Sequence, residues 1–254
     1  MGLVKTTIDG REIEVERDRW ALEVARELGI EIPTLCYHPA VEPYGACRLC
    51  VVEVTQGRWT WLTTSCDLPI REGLSIRTNT ENVIKARRMA LELLWAAAPD
   101  AAEIQEMARE LGLAKPRFAS RMASGKCILC GLCIRVCKEV LGEAAIGFSH
   151  RGTARVVGSP FGGTASDCIG CGACVGVCPT GHIETVVADG KLSMKTWQTD
   201  LPLAACEACG EPFATKRLVE RLAKETAEKE INVRRCPRCR AKELGAKWAQ
   251  AVKR

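Results

Sequence analysis

Cys168, Cys171, Cys174 and Cys178, followed by Pro179, form the pattern C-x2-C-x2-C-x3-C-P. Thiolates at this spacing place three soft sulfur ligands on one tight loop, which suits a [4Fe–4S] cluster. Cys127, Cys130, Cys133 and Cys137 repeat the pattern, with Lys138 in place of the proline. In paired runs of this kind the fourth cysteine ligates the other cluster. The expected sets are therefore Cys127, Cys130 and Cys133 with Cys178, and Cys168, Cys171 and Cys174 with Cys137. Gly131, Gly170 and Gly172 would let backbone amides approach the inorganic sulfides. Paired zinc sites are the alternative, and the crowded spacing argues against them.

A third set is Cys36-x10-Cys47-x2-Cys50-x15-Cys66. Three cysteines around a glycine-containing loop plus one distant cysteine is the general plan of a ferredoxin [2Fe–2S] site, here with a longer first gap than the plant type. A zinc site would usually pair its cysteines more symmetrically. His38 stands two residues from Cys36. Four cysteines complete the set without it, so it is expected beside the cluster rather than on it. The last set is Cys206-x2-Cys209 and Cys236-x2-Cys239, separated by 26 residues. Two such knuckles read as a structural zinc ribbon, and the same thiolates suit a third [4Fe–4S] cluster; the sequence leaves both open. His150 and His182 have no partner motif, so neither is expected to act in catalysis.

The 16 cysteines of this 254-residue chain are clustered rather than spread. C-x2-C pairs and the lack of an apolar leader after Met1 argue for reduced thiols and a cytoplasmic setting over a disulfide framework. No apolar run is long enough to span a membrane. The formal charge of +5 is mild. Basic residues gather near the C-terminus (Arg234, Arg235, Arg238, Arg240, Lys242, Lys247, Lys253, Arg254) without interleaved aromatics, which reads as a solvated helix face rather than a nucleic-acid surface. There is no G-x-G-x-x-G motif and no phosphate-binding P-loop, so no nucleotide site is expected on this chain.

The elements that would carry these loops fall into four stretches of an α+β fold. Residues 1–80 read as a ferredoxin-like domain of the β-grasp type. Apolar–polar alternation around Asp9-Gly10 predicts one hairpin, and residues 51–54 and 59–63 across Gln56-Gly57 predict a second. A helix is expected from Trp20 to Leu28, stopped by Gly29, and a last strand over residues 74–77. Residues 81–120 form a helical spacer, with helices over 83–98 and 101–111 broken by Pro99 and closed by Gly112. Residues 121–195 hold the two cysteine runs, with a helix expected over 134–141 and short strands between. Residues 196–254 form a metal-binding tail with four cysteines and a charged helix over 216–230.

The order of these parts resembles the N-terminal region shared by the large iron–sulfur subunit of complex I and the iron-only hydrogenases. It is also similar to the small iron–sulfur subunit of NAD-linked nickel–iron hydrogenases and formate dehydrogenases. The residues that carry the likeness are the run Cys127-Ile-Leu-Cys-Gly-Leu-Cys-Ile-Arg-Val-Cys-Lys-Glu-Val140, Ile146-Gly147-Phe148, Ser159-Pro160-Phe161-Gly162 and the second run from Cys168. The resemblance covers roughly residues 1–190. It implies an electron-transfer subunit carrying one [2Fe–2S] cluster and two [4Fe–4S] clusters, working between a flavin and NAD(P) subunit and a catalytic subunit, with soluble ferredoxin as a further partner. Two departures stand out. The family's His-x3-Cys-x2-Cys-x5-Cys site is replaced by Leu94-Trp95-Ala96-Ala97-Ala98-Pro99-Asp100, so that cluster should be missing. The chain also reaches Arg254 without a hydrogenase or molybdopterin domain, so the expectation is a relay without its own catalytic centre. A stand-alone multi-cluster carrier is the alternative, and several clusters in series fit fixed partners better.

The crossover of ligands makes a specific expectation. Cys137→Ala should abolish the cluster centred on Cys168, Cys171 and Cys174 and spare the one centred on Cys127, Cys130 and Cys133. Low-temperature EPR of the reduced protein separates the two, and loss of the other signal would reverse the assignment.

Overall fold

The structure is a computed structural model that describes residues 2–120, 125–226 and 231–252. It comprises two compact units, one of Met1–Val140 with Val177–His182 and the other of Leu141–Gly176 with Ile183–Arg254.

The first unit begins with the antiparallel pair β1 (Leu3–Ile8) and β2 (Arg11–Glu16). Asp9 (φ 48°) and Gly10 (φ 79°) make the turn in the left-handed region, which matches the twist of a two-residue hairpin. Alternation sends Val4, Thr6 and Ile8 inward. Helix α1 (Ala21–Glu27) buries Ala21, Leu22, Val24 and Ala25 against the sheet. It stops where Gly29 turns left-handed at φ 74°, with the Ile30 N–H bonded back to the Ala25 carbonyl at 2.9 Å. Strands β3 (Val51–Gln56), β4 (Trp59–Thr64) and β5 (Ser75–Arg77) complete a five-stranded sheet of order β2-β1-β5-β3-β4. Only the β1–β5 pairing is parallel among these neighbours. Ile8, Leu22, Val52, Val54, Ile70 and Ile76 fill the core, each stabilising the fold by roughly 1.5–3 kcal/mol through apolar burial.

The spacer follows as α2 (Glu81–Ala97) and α3 (Ala102–Glu110). Thr80 caps α2 by accepting the Val83 N–H at 3.2 Å. In the stretch where the resemblance implies a histidine–cysteine site, this chain is packed with small and apolar residues: Leu91, Ala98, Ala101, Ile104 and Ala108 are all buried. Two charges are buried on α2 as well, Arg87 and Glu92. Arg117 grips Glu92 with Nε at 2.8 and 2.9 Å from its two oxygens and Nη2 at 2.6 Å, and this bonding holds the Glu92 carboxyl below its ordinary pKa. The unit closes with α4 (Leu132–Arg135), which runs into a π turn over Val136–Val140. The helix expected over 134–141 therefore exists but changes winding at Val136, so that Cys137 lies on the π turn. A π turn rephases every side chain beyond it and is typical of functional positions.

The second unit holds the small hairpin β6 (Gly147–Ser149) and β7 (Val156–Gly158), then α5 (Ala173–Gly176). Strands β8 (Thr185–Ala188), β9 (Lys191–Met194), β10 (Thr199–Ala205) and β11 (Pro212–Thr215) form an antiparallel sheet in the order β11-β10-β9-β8. The division expected at residue 195/196 falls inside this sheet, because β9 pairs with β10 from Met194↔Thr199 to Lys191↔Pro202. Met194, Trp197, Leu201 and Val219 supply its core. Helix α6 (Lys216–Glu225) is capped by Thr215, whose hydroxyl accepts the Leu218 N–H at 3.2 Å, and α7 (Pro237–Val252) follows. The last residues of the helix expected over 216–230, from 227 on, lie outside the described residues, as do Lys253 and Arg254 of the basic run.

The cap on α2 yields a direct expectation. Thr80→Ala should cost about 1 kcal/mol, read as a lower denaturation midpoint with an unchanged slope in urea.

Candidate metal centres

Cys36, Cys47, Cys50 and Cys66 are all buried at one end of the first sheet. Cys50 immediately precedes β3, and Cys66 sits on the short 3-10 turn Ser65–Asp67 after β4. Cys36 and Cys47 come from the long loop after α1. That loop passes through Gly45 (φ 63°) and Arg48 (φ 59°), both left-handed, which curls the backbone so that its amides face the sulfurs. The Cys47 N–H donates to Cys36 Sγ at 3.3 Å. The thiols fall into two hydrogen-bonded pairs. The Cys36 thiol lowers the pKa of Cys47 to about 6, and the Cys66 thiol lowers that of Cys50 to about 7; both donors are themselves raised. His38 Nδ1 instead accepts the Ala40 N–H at 3.2 Å, a local loop bond.

Cys127, Cys130 and Cys133 lie on a loop that turns left-handed at Leu129 (φ 53°) and Gly131 (φ 71°) before entering α4. Burial raises the Cys127 and Cys130 thiols, Cys130 to about 11, and in each case the charge of Cys178 adds to the rise. Cys178 is thus an electrostatic neighbour of the first run. Its Sγ accepts the His182 N–H at 3.3 Å. Cys137 lies on the π turn. Sequence reasoning missed Arg135. Its Nη2 donates to the carbonyl of Cys36 at 2.8 Å, its Nη1 to that of Glu42, and it stands 5.5 Å from the Tyr44 ring centre. Glu139 accepts the Glu42 N–H at 3.0 Å. The first cysteine run is in this way latched onto the loop that carries Cys36.

Cys168, Cys171 and Cys174 occupy a loop and the start of α5. Its geometry rests on Gly170 (φ 68°), where an added Cβ would lie 2.6 Å from Thr215 Cγ2 and 2.7 Å from Leu201 Cδ1. The Thr215 hydroxyl donates to the Ile169 carbonyl, and Arg217 Nη1 donates to the carbonyls of Ser166 and Cys168. The loop is therefore seated on β10, β11 and α6, a support that the sequence reading did not foresee.

Cys206, Cys209, Cys236 and Cys239 bring their sulfurs within 4.8 Å of one another, with Cys209 and Cys236 at 3.9 Å. The first pair fills the β10–β11 connection and the second opens α7. The Cys236 N–H donates to Cys206 Sγ at 3.2 Å and, as the first cause, lowers Cys206 to about 6. Tetrahedral zinc with Zn–S near 2.3 Å needs sulfurs about 3.8 Å apart. This set fits that size, whereas a cubane, with its irons between the ligands, spreads its sulfurs farther.

Comparison with known proteins bears on these sites. Residues 2–81 match the 2Fe-2S iron-sulfur cluster binding domain and residues 126–182 the 4Fe-4S dicluster domain. The chain is 31% identical over 233 residues to one component of the NADH-quinone oxidoreductase of Rhizobium meliloti (strain 1021), covering 82% of this chain and 27% of that protein. It is 31% identical to the NADPH-Fe(3+) oxidoreductase subunit alpha of Geobacter sulfurreducens, covering 82% and 27%. With the NADP-reducing hydrogenase subunit HndD of Solidesulfovibrio fructosivorans it shares 32% identity over 72% of this chain and 36% of that one. The chain thus spans about a quarter to a third of the length of these relatives. A solved chain of NAD+-reducing [NiFe]-hydrogenase in the H2-reduced state superposes with a TM-score of 0.61 at 29% identity, covering 70% of this chain and 86% of that chain.

The packing around Gly170 can be tested directly. Gly170→Ala should cost about four irons per chain, one [4Fe–4S] equivalent. Gly163→Ala, where an added Cβ meets nothing within 4 Å, should leave iron content unchanged.

Proposed function

We propose, from the premise that this chain is an iron–sulfur protein resembling the electron-transfer subunits of NAD(P)-linked oxidoreductases and hydrogenases, that it relays single electrons between a flavin and NAD(P) subunit and a catalytic subunit of one cytoplasmic complex. The observation that carries the reading is the coincidence of the two matched cluster domains with the gathered cysteines. Clusters in such sites accept and release one electron each, over a potential range set by charge, hydrogen bonding and exposure.

The chain's own part is to hold, shield and tune. In this reading Cys36, Cys47, Cys50 and Cys66 bind one [2Fe–2S] cluster. Cys127, Cys130, Cys133 and Cys178 bind a [4Fe–4S] cluster, supported by the charge of Cys178 on Cys127 and Cys130. Cys168, Cys171 and Cys174 with Cys137 bind the second, on the sequence pattern. Burial of Cys36, Cys47, Cys50 and Cys66 keeps water from the first of these sites. Arg135 and Glu139 fix the Cys36 loop on the first [4Fe–4S] run, which holds constant the gap an electron must cross between them. The alanine-rich packing of α2 and α3 supports a relay that does without a cluster in the spacer. The close sulfurs of Cys206, Cys209, Cys236 and Cys239 support one structural zinc. Among the described residues no helix is long and apolar enough to cross a membrane.

Metal analysis of anaerobically purified protein should give about 10 irons and one zinc per chain. About 14 irons without zinc would place a cluster in the tail instead. The relay itself is tested by isolating tagged chain anaerobically from its native host. A flavin-containing subunit and a second oxidoreductase subunit should come with it. A lone 27.7 kDa species carrying all the iron would indicate a free carrier.

A further inference from the structure

Arg87 lies on α2 and is only 6% exposed. Its Nε donates to the Leu49 carbonyl at 3.1 Å and its Nη2 to the Val51 carbonyl at 3.0 Å. These carbonyls flank Cys50, so the guanidinium is forked across the backbone that carries a cluster ligand. A buried cation is costly unless something compensates it. The carboxylates around this region are engaged elsewhere. Asp9 accepts the Thr78 N–H and hydroxyl at 2.7 and 2.5 Å, while Glu53 accepts the Thr80 hydroxyl at 3.3 Å and the Asn82 amide at 3.1 Å. Among the described residues no ion pair is made by Arg87. Burial pushes its pKa down, and the charge that most opposes this is that of Cys50, ahead of Asp9. Leu49, whose carbonyl takes the Nε bond, is itself completely buried.

We propose that Arg87 is the fixed counter-charge of the [2Fe–2S] site and raises its reduction potential. The inference rests on the assignment of Cys36, Cys47, Cys50 and Cys66 to that cluster. Four thiolates and two sulfides already outweigh the charge on two ferric irons, and one-electron reduction adds a further negative charge. A cation held nearby in a medium of low dielectric constant stabilises the reduced form more than the oxidised form. Arg87 touches carbonyls rather than thiolates, so it is a positioning and tuning residue. Its fork holds the ligand-bearing backbone, and its charge acts on the electron.

Arg87→Lys, Arg87→Gln and Arg87→Met in the full chain separate these two roles. The readouts are iron per chain and an EPR-monitored redox titration of the [2Fe–2S] signal. The neutral variants that retain iron should show at least a tenfold fall in the reduced-to-oxidised ratio at fixed potential, about 59 mV for one electron. The [4Fe–4S] signals should stay in place, and Arg87→Lys should remain close to the unsubstituted protein. If both neutral variants lose the [2Fe–2S] iron while Arg87→Lys keeps it at the original potential, the need for positive charge is again supported. The proposal is overturned if an iron-replete neutral variant keeps its potential, if lysine and neutral variants shift alike, or if Arg87→Lys itself loses the cluster. Absence of a [2Fe–2S] signal from the unsubstituted protein would sink the cluster assignment instead.

Discussion

Several sulfurs must converge on one point while the backbone between them turns its N–H groups inward, and the rest of the molecule is arranged around that demand. An extended or right-handed helical segment does not do this over two or three residues. Each cluster loop passes instead through the left-handed region: Gly45 and Arg48 in the first, Leu129 and Gly131 in the second, Gly170 and Gly172 in the third. Non-glycine residues pay strain there, of order 1–3 kcal/mol each. Rigid elements on either side must therefore hold the loops in place, and the metal stabilises the folded state further when it binds.

The supports differ from loop to loop. The first hangs from the end of a five-stranded sheet with a packed apolar core, in which Leu22, Val52 and Ile76 are fully or almost fully buried. The second is tied by Arg135 and Glu139 to the backbone of the first. The third leans on a sheet and a helix that come later in sequence, through Thr215, Leu201 and Arg217. The tail thus does more than carry two knuckles: its strands and its capped helix form the seat of a cysteine loop some 40 residues earlier in the chain, Ile169 to Thr215 being 46 apart.

Much of the first unit was legible because its signals are local. Asp9-Gly10 and Gln56-Gly57 mark two hairpins, and Gly29 and Gly112 end helices where the structure shows left-handed φ values. The cysteine spacing also located the loops, since three ligands on one turn leave a dense trace. The sheet of the second unit was harder to see. Its strands are short, β8 is exposed along its length, and Pro202 interrupts the alternation in β10. The change of winding at Val136 is invisible to a 3.6-residue pattern. Arg87 and Arg135 left no trace either, for a different reason. On a helix an arginine reads as solvent-facing, and only the tertiary fold shows that these reach carbonyls beside cysteines.

Thr215 shows what such economy entails. One hydroxyl accepts the Leu218 N–H at the start of α6 and donates to the Ile169 carbonyl in the cysteine loop. Unwinding the first turn of the helix therefore frees the loop in the same event, and the two behave as one cooperative opening unit rather than two. Amide exchange at Leu218 and the loosening of the cysteine loop then share a clock, set by the fraying of a helix that itself carries no cysteine.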